Sequence, residues 1–353
     1  MSTNIKLTPG KEQPNAPCPI VTRPITRPMT RRSALAFAGI LPAALASSRL
    51  YAQAEPYPSR EIHIICGFPP GSGADVWVRF FVEQIRPLVP QPIVVENKVG
   101  ANGNIATEYV ARARPDGYTL LSHSPTAIAA NMFMFKNPSV DAGTKLVNVA
   151  TMIEFAFYLT ADSKRPWRNL QDLVAYVKDK GDKATFATTA APGRLLGHLL
   201  NQVMGLKATE VQYRTAADAL NDIASGQLDY ALTDGVFSHA QARAGRLKII
   251  GAGVKKRLAN DPDVPTLIEQ GAANVYAPGF FGVLAPSGTP QPVIEQINTW
   301  YVQAVATPAA TAFIKRFGAD PLTNPPDMAQ KMFLDTIDEW GKLVKLSKIE
   351  PQG

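Results

Sequence analysis

The stretch Glu61–Asp75, EIHIICGFPPGSGAD, constrains this chain more than any other. Its first half, Ile62–Cys66, is short, apolar and rich in β-branched residues, which predicts a strand buried on both faces as in a parallel sheet. Its second half can only turn. Pro69 and Pro70 fix φ and stop the strand, while Gly71 and Gly73 allow positive φ or close backbone approach. Trp77, Phe81, Ile85 and Leu88 then fall on one stripe of a helix. Strand, Gly-rich turn and helix start together leave free N–H groups at the carboxyl end of a strand, a place that favours an anion. The turn lacks the Gly-Lys-Ser/Thr of a phosphate loop, and Val76 stands where the third glycine of a dinucleotide fingerprint would be. By itself it fits either an anion cradle or a plain tight connection with Asp75 capping the helix.

Residues 1–54 stand outside this pattern. Residues 1–28 are rich in Pro and Thr without apolar periodicity and are expected to be disordered. Arg31-Arg32 precedes an uncharged run from Ala34 to Ser48, and Ala52-Gln53-Ala54 fits a small-x-small cleavage site. This predicts a signal peptide for export, cleaved near Ala54, with the paired arginines pointing to the twin-arginine route. Met29 is a candidate for the true start. The segment also holds seven basic residues and one acid, so six of the seven net positive charges lie in it. The remainder is close to neutral and carries no basic stripe interleaved with aromatics, which argues against a nucleic-acid partner. Cys18 lies in the leader and leaves Cys66 alone in a predicted strand, so no intramolecular disulfide is expected in the mature chain. The histidines, His63, His123, His198 and His239, are scattered without metal-ligand spacing, and neither a metal nor a cofactor is predicted.

The rest of the chain alternates strands with helices. Gln91–Glu96, Tyr118–Leu121, Thr185–Ala187, Val211–Tyr213, Asp229–Thr233 and Leu247–Ala252 read as strands, and polar or Gly-rich turns follow several of them. The segment 150–159 is expected to cross from one lobe to another, and Phe280–Leu284 to cross back. The expected architecture is α/β with two lobes, residues 55–155 plus 280–353 forming the first and 156–279 the second. That is the periplasmic-binding-protein (Venus-flytrap) plan, with a ligand cleft where the turns at the strand ends converge.

Several blocks in order then resemble the tripartite tricarboxylate transporter receptors, the Bug family. Gly67–Asp75 resembles PFPPGGGTD, Val94–Asn104 resembles VVENRPGAGGN, and Pro115–Leu121 reads PDGYTLL; Asp263–Thr266 and Phe281–Pro290 match later blocks. The resemblance implies an extracytoplasmic receptor that binds a small organic acid and passes it to membrane transporter subunits. It implies that a ligand carboxylate is held by two turns, one per lobe. Here these are Phe68–Asp75, with Phe68, Pro70, Gly71, Ser72, Gly73 and Asp75, and Thr188–Arg194, with Thr188, Thr189 and Arg194. The second turn departs from the family's SSGNGSPSH. Arg194 is expected either to clamp a carboxylate or to be a solvated surface residue or a member of an inter-lobe ion pair. Ser122, His123, Ser124 and Thr126 form a third turn, where His123 either meets the ligand or packs against the cleft wall. Thr233 and Asp234 compete for a ligand-facing place at a strand end, and Phe280 with Phe281 is expected to supply an aromatic wall.

A monomeric binding protein without enzyme activity is the leading expectation. A secreted hydrolase using Ser72 or Ser124 with His123 is the rival, weakened by the lack of a G-x-S-x-G elbow. A sensor module without transport is the third.

Overall fold

The computed structural model describes residues 56–138 and 140–352. The expected signal peptide, its cleavage site, Met29 and Cys18 lie outside the described residues.

The elements run, in order, β1 (Ile62–Cys66), α1 (Gly73–Ile85), β2 (Ile93–Asn97), α2 (Asn104–Ala111), β3 (Thr119–His123), α3 (Pro125–Met134), α4 (Ala142–Lys145), β4 (Leu146–Glu154), β5 (Phe157–Asp162), α5 (Leu170–Lys180), β6 (Thr185–Thr188), α6 (Ala191–Met204), β7 (Thr209–Gln212), α7 (Ala216–Ser225), β8 (Tyr230–Asp234), α8 (Gly235–Arg243), β9 (Leu247–Ala252), β10 (Phe280–Pro286), α9 (Gln291–Val305), α10 (Pro308–Arg316), β11 (Asp320–Pro321) and α11 (Pro326–Ser347). Two mixed sheets result, ordered β11-β4-β10-β3-β1-β2 and β7-β6-β8-β5-β9. In each, three parallel strands carry the crossover helices. Strands β10 and β5, which enter their sheets from the other side of the molecule, pair antiparallel to β3 and β8. The two sheets therefore repeat one design, β2-β1-β3-β10 matching β7-β6-β8-β5.

Strand β1 shows why the opening segment dominates. Ile62, Ile64 and Cys66 face the large core with Trp77, Phe81 and Ile85 of α1, whereas Ile65 faces a second cluster with Val110, Leu121, Leu284 and Phe333. Every apolar position of the strand is thus buried, each such side chain contributing about 1.5–3 kcal/mol. Burial also pushes the Cys66 thiol up to about 12, leaving it an inert core residue. Helix α1 ends where Pro87 enters a 3₁₀ turn.

The passage between sheets is abrupt. The expected single crossing segment is broken into β4 and β5 by Phe155 and Ala156 alone. The Phe155 N–H donates to Gly279 O, just before the returning strand β10, at 2.9 Å. A further tie joins the sheets near β11, where Asp320 accepts from the N–H groups of Ala259 and Asn260 at 2.7 and 2.8 Å. The last helix, α11, packs on α3 and β4 and also reaches α6.

Candidate functional site

Helices α1, α3, α6, α7 and α8 begin at the facing ends of the two sheets, and their first turns surround one cavity of about 460 Å³. In α1 the chain enters through Gly71 at φ 77°, which a Cβ would strain. The Ser72 hydroxyl caps the helix by accepting from the Asp75 N–H at 3.3 Å. The N–H groups of Gly73 and Ala74 then have no intrahelical acceptor. Asp75 braces the turn from behind. It accepts from Gly71 N–H at 2.9 Å, Arg79 Nε at 2.9 Å and Asn97 Nδ2 at 2.7 Å. Burial alone would raise this carboxyl, but the hydrogen bonds from Asn97, Gly71 and Arg79 outweigh it and hold it below the usual carboxylate range.

The second lobe offers three starts. Helix α6 begins at Ala191 with Pro192 in its first turn and no side-chain cap. Helix α7 begins with a capping box, in which Thr215 N–H donates to Asp218 at 3.0 Å. Helix α8 is capped by Asp234, whose Oδ1 accepts from Phe237 N–H at 3.1 Å. Asp234 also reaches across to the first lobe. A Cβ on Gly73 would collide with Asp234 Oδ1, so only glycine allows this approach. Burial pushes the Asp234 carboxyl up, an effect partly offset by the N–H groups of Phe237 and Val236.

Of the residues expected to form the site, Phe68, Pro70, Gly71, Ser72, Gly73, Ser124, Thr189 and Asp234 line the cavity. The others do not. Asp75 supports its turn. Ser122 is buried within β3. His123 is buried behind the wall, stacked on Phe68 with ring centroids 4.3 Å apart. Its Nδ1 donates to Ser124 O at 3.1 Å, and Nε2 has no partner among the described residues. Burial lowers its pKa to about 4, so the ring is neutral at pH 7. Thr126 accepts from Phe280 N–H at 3.4 Å, and Thr233 is held by Ser238 at 2.8 Å. Phe280 packs into the core and its neighbour Phe281 faces the cavity, as strand alternation requires.

Arg194 departs furthest from expectation. Helix α6 starts four residues before Leu195, where the sequence placed it, so Arg194 lies inside the first turn with a buried side chain. It binds Glu210 of β7 through Nε at 3.0 Å, beside Thr188 Oγ1 at 2.5 Å and His198 Nε2 at 2.9 Å. Burial would raise the Glu210 carboxyl, but His198, Thr188 and the Arg194 charge bring it down to about 2. Thr188 and Arg194 thus brace the second turn as Asp75 braces the first.

The sequence did not point to Arg214, Phe155, Phe157, Phe237 or Phe317, all of which line the cavity. The signal for Arg214 was the Thr215-x-x-Asp218 box after a strand, which puts the preceding residue at the cleft rim. Most of the wall is aromatic or aliphatic; among the described residues Arg214 is its one basic residue and Asp234 its one acid.

Residues 78–349 match the tripartite tricarboxylate transporter family receptor. The chain is 33% identical over 316 residues to a UPF0065 protein of Bordetella bronchiseptica, spanning 88% of this chain and 93% of that protein. It is similar to the solved structure of periplasmic binding protein BugD, at 29% identity and TM-score 0.76, over 84% of this chain and 100% of that one. It is also similar to R. palustris Rpa4515 with adipate, at 25% identity and TM-score 0.78, over 84% and 100% of the two chains. A third solved structure, MatC from Rhodopseudomonas palustris with bound malate, is 25% identical with TM-score 0.73, over 82% and 100%. The two-lobed α/β fold of this chain is that of the periplasmic binding proteins.

Proposed function

The chain belongs to the tripartite tricarboxylate transporter receptor family, and we propose that, as a solute-binding receptor, it captures a small carboxylic acid between its lobes and delivers it to a tripartite tricarboxylate-type membrane transporter. The acid is met in the periplasm, after residues 1–54 have served as an export signal and been removed near Ala54. Residues 55–155 with 280–353 act as one closing body and 156–279 as the other. The protein works as a monomer, by binding without turnover.

One observation carries this proposal: helix starts with unsatisfied N–H groups converge from both sheets on a single cavity. Each dipole contributes about 0.3–2 kcal/mol toward an anion, and each charge-assisted hydrogen bond about 1.5–3 kcal/mol. A handful of such contacts supplies the roughly 8 kcal/mol that a micromolar ligand requires. The carboxylic acids held by Rpa4515 and MatC support the same ligand chemistry here.

A thermal-shift screen of the purified protein against mono-, di- and tricarboxylic, amino and aromatic acids tests the proposal. An acid at about a hundred times its dissociation constant adds roughly 2.7 kcal/mol of stability, a clear rise in Tm. Folded protein that no carboxylic acid stabilises would refute it.

A further inference from the structure

The charges around the cavity are arranged in a row. In the second sheet β6 lies between β7 and β8. The ends of β7 and β8 are therefore two strand spacings, about 10 Å, apart. The acid Asp234 stands at the β8 end. The uncapped start of α6 stands in the middle, after β6. Arg214 stands at the β7 end, just before the start of α7.

The arginines braced behind the turns have carboxylate partners. Arg79 is paired with Asp75 and Arg194 with Glu210. Arg214 lines the cavity, is exposed, and has no carboxylate or hydrogen-bond partner among the described residues. The cavity is also much larger than one carboxylate needs, with room for on the order of fifteen waters. Beyond the polar turns its wall is made by Phe155, Phe157, Phe237, Phe281 and Phe317. Such a wall favours an apolar body over a small polyhydroxy one.

We infer that Arg214 is a specificity residue of this cleft, holding the second anionic group of an acid whose body is apolar. The inference rests on the carboxylate-binding function proposed above. The first carboxylate lies at the α1 and α6 starts, and the body lies on the phenylalanines. The second carboxylate, one strand spacing further along the rim, meets a guanidinium fork beside the α7 start. Asp234, at the opposite end of the row, repels a second carboxylate placed there, which sets the direction of binding. An apolar body of this length is supplied equally by a six-carbon chain or by a benzene ring.

The test is isothermal titration of the wild type and Arg214→Gln with two matched pairs, hexanoate with adipate and benzoate with benzene-1,4-dicarboxylate. In the wild type each dicarboxylate is expected to bind about tenfold or more tighter than its partner, one charge-assisted contact being responsible. Arg214→Gln is expected to cut each dicarboxylate's affinity about tenfold, to the level of its monocarboxylate partner, and the melting temperature of the ligand-free variant reports that it is folded. The pair that binds tighter identifies the body as chain or ring. If the dicarboxylates hold no advantage in the wild type, or keep it in Arg214→Gln, the inference falls while carboxylate binding stands. If none of the four acids binds, the inference falls, while the carboxylate function is decided by the wider thermal-shift screen.

Discussion

Replacing Glu210 by alanine should lower the melting temperature by about 5–8 °C at pH 7. Glu210 and Arg194 have side chains only 10% and 7% exposed, so water screens the pair little. Removing the carboxylate strands the guanidinium, whose Nη1 already lacks a partner among the described residues. Breaking a buried pair from one side costs roughly 3–5 kcal/mol. The carboxyl's descent from its ordinary 4.5 to about 2 points the same way. That shift corresponds to about 3 kcal/mol of linkage. A folded unit of about 300 residues has an unfolding entropy near 0.6 kcal/mol per kelvin, which converts these energies into the stated shift. The sign with pH follows from the depressed folded pKa. The contribution is complete above about 4.5 and is lost as pH falls toward 2, so the wild type and Glu210→Gln should converge across that window. Scanning calorimetry of Glu210→Ala, Glu210→Gln and the double variant Glu210→Ala/Arg194→Leu is the assay. The double variant removes the stranded charge and should recover much of the loss. A change under about 1 °C in Glu210→Ala would refute the bracing role assigned to this pair.

His123 should give a separate acid sensitivity. Its folded pKa of about 4 lies below the ordinary 6.5, so the unfolded chain takes up a proton first, and up to about 3 kcal/mol of stability is lost as pH falls from 6.5 to 4. His123→Phe, which keeps the stacking on Phe68 and cannot titrate, should flatten the melting profile in that window; an unchanged profile would exclude His123 as its source. Gly73→Ala should leave each lobe folded, since Gly73 already lies in a helical turn, but force the lobes apart because its Cβ would collide with Asp234 Oδ1, weakening dicarboxylate binding about 5- to 150-fold. Titration with adipate and benzene-1,4-dicarboxylate measures this, and undiminished affinity would show that ligand-bound lobes do not need that contact.

The architecture was legible because its strands are short, apolar and followed by turn residues. Ile62–Cys66 can hardly be anything but a two-faced strand, and Gly71 and Ser72 can hardly avoid starting a helix. The first anion turn was readable for the same local reasons. The second was harder. Its helix start depends on Pro192 in the first turn and on Glu210, a residue 16 positions from Arg194, and no local pattern announces a buried partner at that distance. Strand alternation left Phe280 and Phe281 undecided, and tertiary packing of Phe280 against the core decided it. The aromatic wall from Phe155 and Phe157 was hidden because the break between β4 and β5 is only two residues long. Arg214 was hidden by its place one residue before a helix cap, where arginine usually faces solvent.

A crystal structure with adipate or benzene-1,4-dicarboxylate bound bears most directly on how this cleft holds its ligand. One carboxylate should lie within about 3 Å of backbone N–H groups at the starts of both α1 and α6, and the other at Arg214. A carboxylate held away from those helix starts, or an acid that binds outside the cavity between the sheets, would contradict the assignment.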